Sequence, residues 1–272
     1  MAKFLHLRIT ATLLLFGLGG SAYGQTISVH PLSVTSLSLK ILRDSSDIGV
    51  ATGFVVKKGE KHYLVTNRHV VLSCAQDQNP TNVGGWICAN KLAILHNQLG
   101  HPGTWVWITE DLYDSAGKPR WFEHAVLGGA ADLVALPLAN TDNVQFYPLD
   151  IQLGKTDIVV SPGESVSIVG FPFGLTQDAG LPIWKTGTVA SDLDINFRGK
   201  RIFLVDTTSR PGMSGSPVYV VRYGTIHTSK GENISPESVT RVLGVYSEHI
   251  PSAELGGVWK AAVVLELYDS LP

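Results

Sequence analysis

Residues 49–66 read GVATGFVVKKGEKHYLVT, in which two runs rich in β-branched and aromatic residues flank a short polar segment. This pattern predicts a strand over 49–56, a hairpin turn over 57–61 and a return strand over 62–66. Similar short runs, separated by Gly, Pro, Asn and Asp, recur at 157–160, 165–170, 187–190, 202–205, 218–221 and 242–245. Many short strands with turns between them are typical of a β-sandwich or a β-barrel.

The C-terminal end of the sequence departs from the strand pattern. Val263, Val264 and Leu267 recur at helical spacing within residues 258–271, so we predict one short C-terminal helix there. Upstream, a polar segment at 139–150 interrupts the apolar pattern. We expect the boundary between two halves of the protein in that segment.

The composition is that of an ordinary globular protein. The chain has 272 residues, of which 44% are hydrophobic and 16% charged, enough to bury one compact core or the cores of two small subdomains. The formal net charge is -2 and the pI is near 6.5. Domains that bind nucleic acid usually carry a basic stripe or a pI above about 9. Nucleic acid is therefore not expected among the partners.

The N-terminus has the layout of a secretory signal peptide. Lys3 and Arg8 precede the apolar run 9–18, and small residues follow at Ala22 and Gly24. We therefore assign residues 1–24 to a cleaved signal peptide and place the mature protein in a secreted or periplasmic location. The alternative is an uncleaved anchor, but ten apolar residues are far fewer than the roughly 20 that span a bilayer. No stable membrane insertion is expected.

Export would bring the two cysteines, Cys74 and Cys88, into an oxidising compartment. We predict a disulfide between them that closes the polar segment 75–87, a loop for which the chain-entropy treatment gives about 3 kcal/mol of stabilisation. The alternative is a pair of free buried thiols. No metal site is expected, because neither cysteine belongs to a CxxC pair and no histidine lies at ligand spacing.

Two residues, Ser214 and His69, suggest the chemistry of a serine hydrolase. Ser214 lies in the segment GMSGSP at 212–217, and His69 ends a predicted strand about 145 residues upstream. A serine hydroxyl is a weak nucleophile that needs a neighbouring base and backbone N–H groups for the oxyanion it creates. Asp132 precedes an apolar run at 133–136. Each residue alone also has a structural explanation: a glycine turn, a packed histidine or a turn-capping carboxylate.

Four segments occur in the order found in the trypsin-like, chymotrypsin-fold serine proteases: 49–53 with 63–71, then 131–136, 212–217 and 243–247. The chain resembles these proteases and, among them, the bacterial HtrA/Deg branch. The resemblance covers most of residues 45–270. It implies an all-β fold of two six-stranded antiparallel β-barrels with an active site between them. The first barrel would span residues 25–145, and the second would span 146–272 with the C-terminal helix.

The resemblance also implies the roles of the three residues. His69 would be the general base, Asp132 the carboxylate that orients it and Ser214 the nucleophile. The backbone N–H groups of Gly212 and Ser214 would form the oxyanion hole, and no cofactor would be needed. The chain order His, Asp, Ser differs from the order Ser, Asp, His of α/β-hydrolase esterases.

The sequence departs from the family at three points. Met213 stands where trypsin-like zymogens carry the aspartate that pairs with a new N-terminal amine, so activation through that salt bridge is not expected. Ser216 replaces a second glycine, a change that we expect to preserve the turn. No PDZ domain is expected after the catalytic unit, so the PDZ-coupled regulation of HtrA proteins is not carried over.

By the same resemblance, five residues would form the S1 pocket, which receives the substrate's P1 side chain: Thr208 at the base, Ser247, Glu248 and His249 along one wall, and Gly257 near the floor. No acidic residue occupies the base, which argues against a trypsin-like preference for Arg or Lys. Glu248 and His249 leave both a basic and an acidic P1 residue open. Three tryptophans between the histidine and aspartate strands would either line an extended groove or cover the core of the first barrel: Trp105, Trp107 and Trp121.

The sequence thus predicts a secreted or periplasmic serine endopeptidase that cleaves protein or peptide substrates through an acyl-enzyme intermediate. The alternative from another class is a catalytically silent protein of the protease fold that binds peptides. The oligomeric state is left open by the sequence.

Overall fold

The structure is a computed structural model that describes residues 8–9, 27–76 and 85–272. The predicted signal peptide, residues 1–24, falls outside the described residues except for a two-residue strand, β1 (Arg8–Ile9), which pairs with β2 (Ile27–Ser28). Within the described part of the chain, no helix is long and apolar enough to span a membrane.

The first half of the chain is built from antiparallel strands and one helix of a single turn. They are β3 (Ser36–Arg43), β4 (Ser46–Lys58), β5 (Lys61–Thr66), α1 (Arg68–Val71), β6 (Cys74–Gln76), β7 (Trp86–Cys88), β8 (Lys91–Gln98), β9 (Trp105–Asp111), β10 (Phe122–Glu123), β11 (Val134–Pro137) and β12 (Val144–Gln145). Eight of these strands form one sheet. Seven of them follow the order β10-β11-β5-β4-β3-β8-β12, and the eighth, β9, pairs with β8.

The hairpin predicted at 49–66 is confirmed as β4 and β5. The two strands pair from Phe54 opposite Val65 to Lys58 opposite Lys61. Gly59 supplies the turn with a φ of 59°, in the left-handed region that glycine adopts without strain. The strand predicted at 157–160 does not form, since only Ile158 makes an isolated bridge, to Thr228.

The second half forms a closed six-stranded barrel. Its elements are β13 (Ser165–Gly170), β14 (Ile183–Val189), β15 (Ile202–Asp206), β16 (Pro217–Thr228), β17 (Gly231–Ile250), β18 (Leu255–Lys260) and α2 (Ala261–Ser270). The strand order around the barrel is β13-β14-β15-β18-β17-β16. The interior is apolar and includes Val166, Ile168, Phe203, Val218 and Val258.

The all-β fold with a short C-terminal helix is confirmed, and the second half has the six-stranded barrel that was predicted. The first half differs in strand count, because its sheet has eight strands and its hydrogen-bonded path does not close. The additional hairpin β8–β9 explains part of the difference. Only one residue of β9, Glu110, is buried.

The two halves share one apolar core. Phe54, Tyr63 and Leu133 of the first half lie in the same cluster of buried side chains as Val242 of the barrel and Val263 of α2. A 3-10 helix, Ile151–Lys155, follows the last strand of the first sheet. The border between residues 145 and 146 as a domain boundary stays a prediction.

The C-terminal helix is shorter than predicted, because residues 258–260 belong to β18. Val258 and Trp259 pair with Phe203 and Ile202 of β15, a contact that helical periodicity does not reveal. The end of α2 is held by the first half: the Lys58 ammonium donates hydrogen bonds to the carbonyls of Tyr268, at 3.0 Å, and of Asp269, at 2.8 Å.

Cys74 and Cys88 form the predicted disulfide, so that interpretation is confirmed and the free-thiol alternative is wrong. The two residues face each other in the β6–β7 ladder, with Cα atoms 4.0 Å apart.

The three tryptophans have different surroundings. Trp105 is half-buried and packs against the core of the first sheet. Trp121 is buried in the core of the first sheet, as the core interpretation predicted, and its ring lies edge-on to Tyr113. Trp107 is 43% exposed, and the Lys40 ammonium lies 5.0 Å from the centre of its ring. A part for Trp107 in substrate binding stays a prediction.

Candidate active site

The structure brings His69, Asp132 and Ser214 together. The Nδ1 atom of His69 lies 2.6 Å from Oδ2 of Asp132, and its Nε2 atom lies 2.9 Å from Oγ of Ser214. A carboxylate can only accept, so Nδ1 carries the proton and Nε2 is left to accept a hydrogen bond from the serine hydroxyl. The arrangement therefore fits the tautomer in which Nδ1 carries the proton and Nε2 can take the serine proton.

Strand pairing explains why His69 and Asp132 meet. Val134 at the start of β11 pairs with Thr66 at the end of β5, so the residues just before β11 and just after β5 lie at the same edge of the sheet. The backbone N–H of His69 donates to Oδ1 of Asp132 at 2.8 Å. The side chain of Asn67 donates to the backbone carbonyl of Asp132 at 2.8 Å. These contacts hold the carboxylate and the imidazole in one orientation.

The environment keeps Asp132 ionised. Burial alone would raise the pKa of this carboxyl, but the hydrogen bonds and charge of His69, together with a hydrogen bond from Ser247, lower it overall. The Ser247 hydroxyl donates to Oδ2 of Asp132 at 2.6 Å. The resemblance predicted Ser247 only as a wall of the S1 pocket. Its contact with the carboxylate joins residues 115 positions apart, and no local sequence signal announces it.

Ser214 is carried by a tight loop in which glycine is required twice. Gly212 has a φ of 92°, and a Cβ atom there would lie 2.3 Å from the carbonyl oxygen of Phe171. Gly215 has a φ of 86°, and its Cβ atom would lie 2.0 Å from the carbonyl oxygen of Thr52. Any other residue at either position would bring both backbone strain and a clash. The loop is fixed to the first sheet by the Thr52 N–H, which donates to the Ser214 carbonyl at 2.9 Å.

Three carbonyls of this loop have fixed partners. The Pro211 carbonyl accepts from the Phe173 N–H at 2.6 Å. The Gly212 carbonyl accepts from the Thr52 hydroxyl at 2.8 Å. The Met213 carbonyl accepts from the Ser216 N–H at 3.0 Å.

In a trans peptide the N–H points away from the carbonyl, so the partners of Pro211 and Met213 also set the directions of the Gly212 and Ser214 N–H groups. Neither of these two N–H groups has a hydrogen-bond partner within the described part of the chain. The Met213 N–H is bonded to the Arg210 carbonyl at 3.2 Å. The loop thus leaves two backbone donors free beside the serine hydroxyl.

A cavity of about 280 Å³ opens beside Ser214. It is lined by Ser209, Arg210, Pro211, Ser214, Tyr246, Ser247 and His249. A neighbouring cavity of about 330 Å³ shares Ser209, Arg210 and His249, and it adds Thr208 with the two acidic residues Asp206 and Glu254.

A family model described as the trypsin-like peptidase domain matches residues 51–226, more than half of the chain. The chain belongs to the trypsin-like peptidase domain family. Solved structures with similar folds include a serine endoprotease from Yersinia pestis and the MamO protease domain from Magnetospirillum magneticum in its apo form.

The Yersinia pestis structure is 14% identical with a TM-score of 0.46, and the match covers 87% of this chain and 62% of that one. The MamO domain is 15% identical with a TM-score of 0.46, and the match covers 87% of this chain and 96% of that one. No curated protein matches the chain. The predicted membership of the trypsin-like superfamily is confirmed, and the narrower resemblance to the HtrA/Deg branch stays a prediction.

The S1 residues predicted for this trypsin-like peptidase domain separate into three groups. Ser247 and His249 line the cavity beside Ser214, whereas Thr208 lines the neighbouring one. Glu248 forms an ion pair with Lys200 at 2.8 Å and lines neither cavity. Gly257 lies in β18 opposite Glu248, where a Cβ atom would be 2.6 Å from the Cγ of that glutamate.

Two departures from the trypsin-like pattern have a clear place in the structure. Met213 is buried in the barrel interior, where it packs with apolar side chains and carries no charge that could bind an amine. Ser216 keeps the turn through its bond to the Met213 carbonyl. Its side chain fits because Gly170 opposite has none, and a Cβ atom at Gly170 would lie 1.9 Å from the Ser216 hydroxyl.

Sequence reasoning missed Tyr246, which lines the cavity although its side chain is almost fully buried. It also missed Phe173, whose backbone N–H holds the Pro211 carbonyl. Residue 246 lies within the segment 243–247 that carried the family resemblance, but nothing in that pattern marks its side chain. Among the described residues, no group of three or more His, Cys, Asp or Glu side chains is arranged to hold a metal ion.

Proposed function

We propose that the protein is a serine endopeptidase with Ser214 as nucleophile, His69 as general acid–base and Asp132 as the group that orients the imidazole. The observation that carries the proposal is the position of His69 between the two other side chains, at 2.6 Å from Asp132 and 2.9 Å from Ser214. Distances of this size are those expected for a nucleophile, its base and the group that orients the base.

In the acylation step, Ser214 Oγ attacks the carbonyl carbon of the scissile peptide while its proton moves to Nε2 of His69. The resulting imidazolium is stabilised by the ionised Asp132. His69 then gives the proton to the leaving amine, and the peptide C–N bond breaks to leave an acyl ester on Ser214. A water molecule gives a proton to His69 and attacks this ester. The bond between the acyl carbon and Ser214 Oγ then breaks, His69 returns the proton to Oγ, and the second product leaves as a carboxylic acid.

The oxyanion formed in each step would be bound by the free N–H groups of Gly212 and Ser214. The hydrogen bonds that fix the Pro211 and Met213 carbonyls support this assignment, because the donors are then oriented before the substrate arrives. Removing one donor of this kind typically costs about 3 to 4 kcal/mol of transition-state stabilisation.

Protein or peptide substrates fit a free strand edge beside Ser214. Pairing between β16 and β17 ends at Pro217 opposite Val245. The part of β17 that follows Tyr246 therefore has no partner strand, among the described residues, on the edge that lies beside Ser214. An extended peptide would add to this edge through its backbone, a contact independent of side chains. We also propose that the protein acts outside the cytoplasm after removal of residues 1–24, which the Cys74–Cys88 disulfide supports.

The test is covalent labelling of the mature protein, from Gln25 onward, with a fluorophosphonate probe, which reacts with activated serines. We expect labelling of wild type and none of the Ser214→Ala variant. Ser229→Ala, at an exposed position in the turn between β16 and β17, is the matched control and should label like wild type. Folded wild-type protein that remains unlabelled would contradict the proposal and favour a peptide-binding protein of the same fold.

A further inference from the structure

We infer that the exposed ring of Phe173 forms an apolar subsite for P2′, the second substrate residue after the scissile bond, and that the protease prefers a large apolar side chain there. The inference rests on the proposed function, because P2′ is defined by cleavage at Ser214. It adds a substrate class to that site: peptides with leucine, or a side chain of similar size, two residues beyond the bond that is cut.

The first observation is the position of Phe173 beside the loop that carries Ser214. The Phe173 N–H donates to the carbonyl of Pro211 at 2.6 Å, and Pro211 lines the cavity beside Ser214. A Cβ atom at Gly212 would lie 3.0 Å from the Phe173 nitrogen. Phe173 lines neither of the two cavities near Ser214. The residue therefore borders this loop next to the cavity but outside it.

The loop that carries Ser214 is bonded to a different strand on each of two sides. The Gly215 N–H donates to the Tyr246 carbonyl of β17 at 2.9 Å, where the free strand edge begins. The Thr52 N–H of β4 donates to the Ser214 carbonyl at 2.9 Å. A peptide that pairs with β17 through the residues before its scissile bond therefore passes over Ser214 towards β4.

Phe173 lies on the β4 side of this loop. A Cβ atom at the next residue, Gly174, would lie 3.3 Å from the Cγ1 atom of Val50 in β4. Two residues earlier, the Phe171 N–H donates to the hydroxyl of Thr52 at 3.0 Å. The ring of Phe173 is therefore placed where the residues after the scissile bond would pass.

Strand geometry selects P2′ as the residue that meets the ring. The side chains of an extended peptide alternate between two faces, so P1 and P2′ point the same way, about 6.6 Å apart. The P1 side chain would enter the cavity that Pro211 lines, and Phe173 is bonded directly to Pro211. The ring thus lies one step of the pleat from the cavity, on the face that P2′ shares with P1.

The second observation is that the ring has no apolar partner within the described part of the protein. Phe173 is 58% exposed, Leu175 is 57% exposed, and neither belongs to a core cluster. An apolar side chain packed on this ring would remove the surfaces of both from water. Residues 171–177 read FPFGLTQ, so a charged P2′ side chain would find no ion-pair partner in this segment.

The third observation is that the backbone holds the ring in a strained but fixed position. Phe173 has a φ of 55°, in the left-handed region that residues other than glycine and asparagine rarely adopt. The N–H groups of Gly174 and Leu175 close the turn by donating to the carbonyls of Phe171 and Pro172, both at 2.9 Å. Backbone strain of this kind is concentrated at active sites and ligand clamps. Because the turn is already ordered, little conformational freedom is lost when a substrate packs on the ring.

The experiment uses internally quenched peptides built on one sequence that wild type cleaves in a peptide-library digest, with Leu or Ser at P2′ and all other positions fixed. We expect kcat/KM to be about 5- to 10-fold higher for the Leu peptide, the effect of burying roughly half of a leucine side chain. Phe173→Asn removes the ring while asparagine accepts the left-handed backbone. In this variant the ratio of Leu to Ser should fall to below about twofold. Phe173→Tyr keeps the ring and should keep the ratio.

Two controls test the residue and the position. Tyr223→Asn, at another exposed aromatic residue on the β16–β17 hairpin, is the matched control and should keep the wild-type ratio. A second pair of peptides carries Leu or Ser at P1′ instead of P2′. Their ratio should be the same in wild type and in Phe173→Asn, because P1′ points to the opposite face.

Thermal unfolding separates substrate binding from folding. Phe173→Asn should keep or raise the melting temperature, because the exposed ring adds little packing and asparagine relieves the backbone strain. A wild-type ratio near one at P2′, or equal losses on the Leu and Ser peptides in Phe173→Asn, would overturn the inference while the proposed function stood. A wild-type dimer that Phe173→Asn dissociates with no change in the P2′ ratio would also overturn it, because the ring would then join two copies of the chain. Wild type that is not labelled at Ser214 and cleaves no peptide would overturn the proposed function and this inference with it.

Discussion

Acid should destabilise this protein through His96, a buried histidine in β8. Its side chain is 2% exposed, and its ring lies edge-on to Phe146 with the ring centres 5.6 Å apart. Burial lowers the pKa of His96 from 6.5 to about 4, because the imidazolium would lose its hydration. In the unfolded chain the same side chain would titrate near 6.5. Between these two values the unfolded state binds more protons than the folded state, so stability falls as the pH falls.

The size of the effect follows from the two pKa values. At pH 7.5 the histidine is neutral in both states and contributes almost nothing. At pH 5 it is about 97% protonated in the unfolded chain and mostly neutral in the folded protein, which costs about 2 kcal/mol of unfolding free energy. A folded pKa one unit higher would still give roughly 1.6 kcal/mol. That loss is a large fraction of the roughly 5 to 15 kcal/mol typical of a folded domain.

The assay is urea unfolding at pH 7.5 and pH 5 for wild type and for His96→Leu, a variant of similar volume without a titrating group. Wild type should lose about 2 kcal/mol more than the variant between the two pH values. His62 and His30 also have lowered pKa values, each mainly through burial. They remain in both proteins, so their effect cancels in the difference. His101→Gln, at an exposed position, is the matched control and should behave like wild type.

Equal losses in wild type and His96→Leu would refute the reasoning. Titration of His96 near pH 6.5 in the folded protein, followed by NMR, would refute it independently, because the calculation depends on the gap between folded and unfolded pKa values.

Three further outcomes are expected. Lys58→Met should lower the unfolding free energy by about 1 to 3 kcal/mol, because the ammonium holds carbonyls at the end of α2; exposed Lys61→Met is the control in the same urea titration. Cys74→Ser should lose up to about 3 kcal/mol of stability, and equal melting temperatures of wild type with and without reductant would contradict this. Ser247→Ala should reduce kcat/KM about tenfold and lower the unfolding free energy by about 1 to 3 kcal/mol, since its hydroxyl donates to the Asp132 carboxylate; peptide hydrolysis at wild-type rate would contradict that role.

Local sequence patterns predicted those parts of the fold that local interactions form. The hairpin of β4 and β5 follows from two β-rich runs around a polar turn with Gly59. The C-terminal helix was also predicted, but its start was placed three residues early. Val258 and Trp259 pair with β15, a strand more than 50 positions away in the chain, and apolar spacing carries no information about such a partner.

The extra strands of the first sheet could not be counted from the sequence for the same reason. The family resemblance implied six strands, whereas the sheet contains eight. Strands β10 and β12 have two residues each, too few to show any alternation of apolar and polar side chains. Their assignment as strands depends on backbone pairing with β11 and β8.

By itself, the sequence determined the family, the disulfide and the residues proposed for the chemistry: Ser214 between glycines, His69 after a strand and Asp132 before one. These depend on residue type and spacing, which the chain displays directly. Only the tertiary structure decided what surrounds them. Ser247 reaches Asp132, and the Tyr246 side chain is buried in the interior of the second barrel. Both are facts of packing between strands distant in sequence, and burial and hydrogen-bond satisfaction exist only once the chain has folded.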